Sequence, residues 1–512
     1  MSFNSILFRE LDAAAAAVTC EAPAYFADLN LDQIVEAVTA EWKEYDLAPF
    51  FYSPLTDVDS IAYRQEVLQD LEESSVREAI RQFCERMREM RKCWLKAKEF
   101  AQFKYAQERW FLCAVELYID AIRRLSEVLH SCPTSSRGFI ALRAYLSAYS
   151  RSTAFQKLAS ETEKCKSDLS SVQYCVLLRN GGVTVSRYSG EPDYGGAVDE
   201  SFKKFRPIDS VGHRTSRRRL PEMNHIQAQV LDGLAQLYPD IFHALSLFHS
   251  SHQDYLDEAV VRFDREIHFY VAYLIFIEKF QRAGLTFSRP QLSRTSKEVH
   301  CHSGFDLALA HQLFDRRTRV VTNDFHLNGT ERILVVTGPN QGGKTTFARM
   351  FGQMHYLASL GCTVPGTDVR LFAFDQLFSH FERHEDIRNL RGKLQDDLVR
   401  VRHILDAATP ASLIVMNEMF SSTTIKDATY LSAQIMSRIS KLDALCVWVT
   451  FLDELASFNE KTVSMVSTVD SQNTTVRTYK VVRRAADGLA YALAIALKYR
   501  VTYDCLKERI KA

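Results

Sequence analysis

The residues with the clearest chemistry form the run Gly338-Pro339-Asn340-Gln341-Gly342-Gly343-Lys344-Thr345, whose spacing fits the phosphate-loop pattern G-x-x-x-x-G-K-[ST]. Glycines let backbone N–H groups approach a polyphosphate, and a helix opening at the lysine adds the positive end of its dipole. Lys344 can reach the β- and γ-phosphates, and the Thr345 hydroxyl can ligate Mg²⁺. ATP with Mg²⁺ is the expected ligand. A Gly-containing loop can match such a pattern by accident, but the flanks argue otherwise. Arg332 to Thr337 reads as a buried strand, and Thr345 to Leu360 as a helix that Gly361 ends.

The other half of such a site is a strand that ends in polar, oxygen-bearing side chains. Ser412-Leu413-Ile414-Val415-Met416-Asn417-Glu418 supplies one, with its last two residues at the carboxyl end where α/β sites form. Glu418 is the expected general base or orienter of an attacking water. Asn417 stands where an aspartate normally supports Mg²⁺; its amide oxygen can meet the ion or its water shell without charge, so weaker metal binding is expected. Taken alone, the pair is equally a polar cap on a buried strand; the loop upstream favours the chemical reading.

These residues need elements to position them. The 512-residue chain has room for two or more domains. Lys plus Arg and Asp plus Glu both total 63, so no global charge drives it toward nucleic acid or membrane, and contacts with DNA must come from local patches. The apolar stretch Phe269 to Ile277 is too short to span a bilayer, Met1-Ser2-Phe3-Asn4 lacks a signal-peptide pattern, and no membrane association is expected. Eleven scattered cysteines with no C-x-x-C pair suggest reduced thiols and a cytoplasmic protein. His300-Cys301-His302 holds metal-ligand types, but adjacent positions rarely converge on one ion.

The first half reads as helix: Gln82 to Phe103, Trp110 to His130, Phe139 to Leu158, and two long patterns, Met223 to His252 and Gln253 to Ala283, with the length of levers. Cys175 to Leu178 and Val183 to Tyr188 flank Arg179-Asn180-Gly181-Gly182, a hairpin signature. Near Val320 short apolar strands begin to alternate with helices. The strands expected are Ile333–Val336, Leu413–Met416, Leu445–Val449 and Val463–Val469. The fold class is thus α followed by α/β: a helical region over 1–320, with a small hairpin and basic insert over about 175–222, and a P-loop α/β domain over 321–512.

Together these motifs resemble the MutS family of mismatch-repair ATPases, within the ABC ATPase class. The resemblance rests on Asn323-Asp324, on Thr337 through Thr346, on Glu385-Asp386-Ile387, on Ser412 to Glu418 with Ser422-Thr423 and Asp427, and on Ala486 to Ala492. Pro54-Leu55-Thr56-Asp57, Ile61 and Arg64-Gln65 resemble the opening of the family's helical core. It implies a helical core and lever followed by an ABC-type ATPase. Asn323, Gly338, Pro339, Asn340, Gln341, Gly342, Gly343, Lys344, Thr345 and Thr346 would bind ATP, with Thr345 and Asn417 on Mg²⁺ and Glu418 and Lys344 catalytic. It implies a homodimer through the ATPase domains, in which a signature segment of one protomer reaches the other's nucleotide. Gly392 stands at the signature serine, and Lys393 beside it is a candidate trans contact; Phe451 stands at the family's switch histidine.

Against the resemblance, no counterpart of the mismatch-reading and connector domains is expected in this sequence, and C-terminal dimerisation helices are expected to be missing or minimal. Phe381-Glu382-Arg383 repeats a wedge-like string but lies within the ATPase, where it is coincidental. The family's clamp is replaced by a short basic segment, Lys203, Lys204, Arg206, His213, Arg214, Arg217, Arg218 and Arg219, a candidate for DNA phosphate contact that is equally a solvated charge run. Arg86, Arg88, Arg91-Lys92 and Lys96-Lys98 read as surface, without interleaved aromatics. The resemblance implies an ATPase acting on mismatched, irregular or branched DNA in repair or recombination, with protein partners in repair. The competing readings are an ATP-gated scaffold with little hydrolysis and an ATPase acting on a protein or RNA partner.

Overall fold

The computed structural model describes residues 3–10, 19–179, 182–190, 225–316, 318–382, 392–470 and 476–486, with 501–503, 506, 507 and 510. The chain forms two compact units. One comprises Glu72–Thr134 and Ala141–Val260; the other gathers Phe3–Leu71, Ser135–Ile140 and Val261–Ala512.

The first unit is helical. Helices Ser74–Glu99 and Lys104–Ser131 fold back on each other across a short connection. Val76, Ile80, Phe83, Met87 and Met90 are buried on the first, and Phe111, Val115, Tyr118, Ile122, Leu125 and Leu129 on the second, at the three-to-four-residue spacing of apolar helix faces. Two of the long helices expected from sequence are each split. Phe139 to Leu158 spans the helices Arg137–Ser150 and Thr153–Ser170, because the Ser152 hydroxyl accepts the Phe155 N–H and starts a new helix. Met223 to His252 contains His225–Leu237 and Pro239–Ser251. Pro239 has no N–H to continue the first helix, and Tyr238 leaves helical geometry (φ −129°, ψ 57°). The expected hairpin is β1 (Tyr174–Arg179) paired antiparallel with β2 (Gly182–Arg187).

The second unit is built on β-sheet. Its short strands are β3 (Phe287–Ser288), β4 (Gln291–Ser293), β5 (Val299–Gly304) and β6 (Asn323–Leu327). Then come β7 (Ile333–Thr337), β8 (Val364–Pro365), β9 (Thr367–Phe372), β10 (Leu377–His380), β11 (Leu413–Asn417), β12 (Leu445–Val449), β13 (Thr462–Val469) and β14 (Arg477–Arg483). The main sheet has the order β10-β11-β12-β7-β13-β14, parallel except for the antiparallel edge β14. β7, β11 and β12 are buried at every position, as a parallel sheet covered on both faces requires. The four strands expected from sequence are all present, each within one residue at either end. A second sheet, β4-β9-β5-β6, was not expected; it places His300-Cys301-His302 on β5, with Cys301 buried, and no metal-binding group is found among the described residues.

Helix Lys344–Ser359 follows β7 and is buried along nearly its whole length. It has no solvent-facing side, so most of its polar groups are met by protein, while the buried His355 Nε2 has no partner among the described residues. Gln353 bridges Asp306 and the Leu29 carbonyl, Arg349 donates to the Asp28 carbonyl, and the Tyr356 hydroxyl to that of Phe51. At its C-terminal end, Gly361 turns the chain at φ +79°, where a side chain would strike Arg64. The buried Arg64 guanidinium donates to the Leu360 carbonyl (3.2 Å) and the Leu7 carbonyl (3.0 Å), and lies over the rings of Phe8 and Phe269. A cation there complements the negative end of the helix dipole.

Asp443 gathers the far end of the main sheet. It caps helix Ile425–Leu442 in left-handed geometry (φ +65°) and receives Lys461 (2.6 Å), Lys297 (2.9 Å) and Arg332 (3.1 Å). Burial alone would raise its pKa; hydrogen bonds from Lys461, Lys297 and Arg332 reverse that and hold the carboxyl well below the usual carboxylate range. Such a group stabilises the fold fully above its unfolded pKa, near 3.9, and that contribution fades as pH falls toward the folded value. Asp443→Asn should therefore unfold at lower urea than the parent at pH 7, with the gap closing below about pH 4. A gap that stays constant down to pH 3 would show that the three cations do not act through this carboxylate.

Candidate functional site

A cavity of about 460 Å³ opens at the carboxyl ends of β7 and β11. Gln341, Gly342, Gly343, Lys344, Thr345 and Thr346 form its floor, and Leu309, Leu313, Val321 and Tyr479 its apolar walls, with Asn323, Arg319 and Glu418 also lining it. The loop from Gly338 to Gly343 holds its shape through left-handed residues at Gly338 (φ +113°), Gln341 (φ +58°) and Gly343 (φ +93°). Gly343 is the N-cap of helix Lys344–Ser359, so the first N–H groups of that helix face the cavity.

The Lys344 side chain is buried. Its ammonium donates to the carbonyls of Gly338 (3.0 Å) and Pro339 (3.3 Å) and to Asn340 Oδ1 (3.2 Å), and lies 3.7 Å from Glu418 Oε1. Burial pulls its pKa down, and the Glu418 carboxylate works against that shift. The Thr345 hydroxyl donates to Asn417 Oδ1 at 2.9 Å, which brings together two oxygens from different elements. Glu418 follows at the strand end with φ +49°, its N–H held by the Val449 carbonyl (3.0 Å), and Phe420 is also left-handed (φ +60°). Two non-glycine residues in that region so close together store strain at the cavity edge.

Asn323 lines the cavity, but its amide is already engaged with the edge strand: Nδ2 donates to the Tyr479 carbonyl (3.2 Å), and Oδ1 accepts from Val481 N (2.7 Å). Gly392 is the N-cap of helix Lys393–Ala407, and Lys393 is ion-paired with Glu382, which also accepts from Ser421 (2.9 Å). Those hydrogen bonds, from Lys393 first, hold the Glu382 carboxyl below its usual range. Neither Gly392 nor Lys393 lines the cavity. Glu382 of the wedge-like string is therefore part of this cluster. Phe451 is half-exposed after β12. Lys203, Lys204, Arg206, His213, Arg214, Arg217, Arg218 and Arg219 lie outside the described residues, as does Glu385-Asp386-Ile387.

The family described as MutS domain V matches residues 334–508. The DNA mismatch repair protein MutS of Halalkalibacterium halodurans is 29% identical over 181 residues, 34% of this chain and 21% of that protein. Its counterpart from Caldicellulosiruptor saccharolyticus is 31% identical over 145 residues, 28% of this chain and 17% of that one. That from Caldicellulosiruptor bescii is 27% identical over 200 residues, 38% and 23%. Over this region the chain is similar to the MutS proteins. It spans about a fifth of the length of the curated relatives it matches. The cavity floor and Glu418 fall within the MutS domain V match, whereas Leu309, Leu313, Val321 and Asn323 precede it.

Three MutS domain V residues at this site carried no signal in the sequence. Ser467 on β13 sits behind the loop, and its hydroxyl donates to the Gly342 carbonyl at 2.6 Å. Tyr479 on β14 lines the cavity and is left-handed at φ +58°. Arg477 donates to the Asn340 carbonyl (3.2 Å). All three come from strands more than a hundred residues after the loop, and their types are ordinary.

Ser467 crowds two glycines of the loop, and the Pro339 carbonyl adds to the crowding at Gly342. A Cβ at Gly342 would fall 2.2 Å from Ser467 Oγ, and one at Gly338 would fall 2.8 Å from the Ser467 carbonyl oxygen. Gly342→Ala should lower stability by about 1–3 kcal/mol, and a second change, Ser467→Gly, should recover part of it. Gly338→Ala should not be rescued by Ser467→Gly, because its clash is with backbone. Urea unfolding of the four proteins checks this; equal rescue of both glycines would contradict the packing described.

Proposed function

We propose that this protein binds ATP in the Gly338–Thr346 cavity and hydrolyses it. The observation that carries the reading is the convergence of a buried lysine, a Thr345–Asn417 oxygen pair and Glu418 on one loop at the start of a buried helix. In this reading Gly338, Pro339, Asn340, Gln341, Gly342, Gly343 and Thr346 cradle the phosphates through the loop backbone and helix N-terminus. Phosphate oxygens take over the Lys344 ammonium from the loop carbonyls. The purine lies against Leu309, Leu313 and Val321, and Asn323 braces the wall that carries Tyr479. Thr345 and Asn417 are the residues that would hold Mg²⁺, which supplies charge neutralisation at the phosphates when bound. Glu418 accepts the proton of, or orients, the attacking water.

Residues 321–512 are assigned as the ATPase domain and 1–320 as the helical core and lever, with the basic insert at about 175–222 between levers. The protein would act as a homodimer through its ATPase domains, in the cytoplasm and with repair proteins as partners. Lys393 would leave Glu382 to reach the partner's nucleotide. DNA that is mismatched, irregular or branched is the proposed macromolecular partner. Lys203, Lys204, Arg206, Arg214, Arg217, Arg218 and Arg219 are the first candidates to contact it. On the first unit two aromatics lie among the lysines, each with an ammonium over its ring: Lys98 Nζ lies 3.4 Å from the Trp94 ring centre and Lys96 Nζ 4.6 Å from that of Trp110.

An ATP-gated scaffold is the second reading, favoured by the uncharged Asn417 together with Gly392 and Phe451. Steady-state ATP turnover without DNA, and with matched duplex, mismatched duplex and a four-way junction, separates these readings. Lys344→Ala should weaken ATP binding by about 100-fold or more, as two charge-assisted hydrogen bonds are lost. Glu418→Gln should keep ATP bound but lower turnover by about 10²–10⁴. Unchanged ATP affinity in Lys344→Ala would sink the site assignment. Turnover no higher than that of Glu418→Gln would establish the scaffold, and turnover indifferent to all DNA would point to a protein or RNA partner. Asn417→Asp should lower the Mg²⁺ concentration needed for half-maximal turnover several-fold (roughly one added ligand charge).

A further inference from the structure

Cys93 and Cys113 face each other across the helix pair Ser74–Glu99 and Lys104–Ser131, with their sulfurs 3.2 Å apart. Both are free thiols and both are only partly buried, whereas Cys84, Cys132 and Cys165 of the same unit are buried. A disulfide needs a sulfur separation near 2.05 Å, so about 1.1 Å remains to be closed, within reach of side-chain rotation. A metal clip is a poor use of the pair, because no group of three metal-ligating side chains occurs among the described residues. We propose that Cys93 and Cys113 form a redox modification site, at which a hydroperoxide converts the two thiols into an intramolecular disulfide that staples the two helices.

Cys113 is the attacking sulfur. The sulfur–sulfur hydrogen bond, in which either thiol can donate, and the Arg109 guanidinium pull the Cys113 thiol below its usual range, which favours it as the attacker. The Cys113 thiolate attacks one oxygen of the hydroperoxide; the O–O bond breaks, an alcohol (water, for hydrogen peroxide) leaves, and Cys113 becomes a sulfenic acid. The Cys93 sulfur then attacks the Cys113 sulfur, the S–O bond breaks, and water leaves with the Cys93 proton. Two thiols lose two electrons and one peroxide gains them. The staple closes residues 94–112 into a loop that carries Trp94 and Trp110 with their lysines. The chemistry itself does not depend on DNA or on ATP.

The test uses the full-length reduced protein exposed to a few equivalents of hydrogen peroxide, alkylated and digested with trypsin. The expected product is a peptide pair linking Cys93–Lys96 to Trp110–Arg123, 2 Da lighter than the two thiol peptides, formed before the exposed Cys20 is oxidised. Cys93→Ser should trap a sulfenic acid on Cys113 that a dimedone probe labels, and Cys113→Ser should lose both the link and the label. Circular dichroism confirms that each serine variant is folded. Oxidation appearing first at Cys20, or Cys93 and Cys113 reaching sulfinic acid without the linked peptide, would overturn the proposal.

Discussion

Burial of helix Lys344–Ser359 is the constraint on which the second unit depends. A helix buried on all sides must have its polar side chains and both ends answered by protein or ligand, because water cannot do it. The C-terminal end is answered by Arg64, itself buried, which spends one nitrogen on Leu360 and another on Leu7. Burying a guanidinium is costly, and its pKa is pulled down accordingly; the faces of Phe8 and Phe269 and those two carbonyls offset the cost. Arg64, Phe8 and Phe269 come from three distant parts of the sequence. The early residues and helix Glu258–Arg282 are therefore parts of the unit that holds the cavity. Tyr273, on the same long helix, donates to the Thr363 carbonyl just past the buried helix.

The N-terminal end of that helix is where chemistry becomes possible. Its N–H groups and Lys344 form a positive pole, and the carboxyl end of β11 presents Asn417 and Glu418 to it. The sheet register makes this meeting unavoidable. β7 and β11 flank β12 and all three run parallel, so their carboxyl ends emerge on one side. Strain at Glu418 and Phe420 is tolerated because the Glu418 N–H is fixed to β12.

Much of this was legible because it is local. The loop, its strand and its helix are contiguous, and buried parallel strands are continuous apolar runs whose ends the eye finds within a residue. The second sheet and the separate β3-β8 pair were not legible: β3, β4 and β8 have two or three residues each, and β5 alternates only irregularly in burial. The break at Pro239 was readable from the proline alone, but the long apolar periodicity on either side masked it. Ser467, Tyr479 and Arg477 were invisible for a different reason. They act by where the sheet puts them, and nothing in a serine on a strand says which glycine it will lie behind. The pairing of Lys98 with Trp94 and Lys96 with Trp110 follows from helix spacing and from hairpin packing respectively; the first was within reach of the sequence and the second was not.

Asn417 shows how far geometry and charge can be separated. Its Oδ1 accepts the Thr345 hydroxyl proton, which turns the Thr345 oxygen lone pairs away from the strand and toward the cavity. An aspartate would accept the same proton with the same result, so the orientation of Thr345 survives without the charge. What the amide gives up is electrostatic: one less negative charge for a divalent cation, in a buried setting where charges are weakly screened. Lys344 feels the same change. With aspartate at 417 the ammonium would sit near two carboxylates; here Glu418 alone opposes the effect of burial on its charge. In the proposed reading, the amide would weaken the site's hold on metal while leaving its shape intact, and Glu418 would be the one carboxylate serving both the lysine and an attacking water.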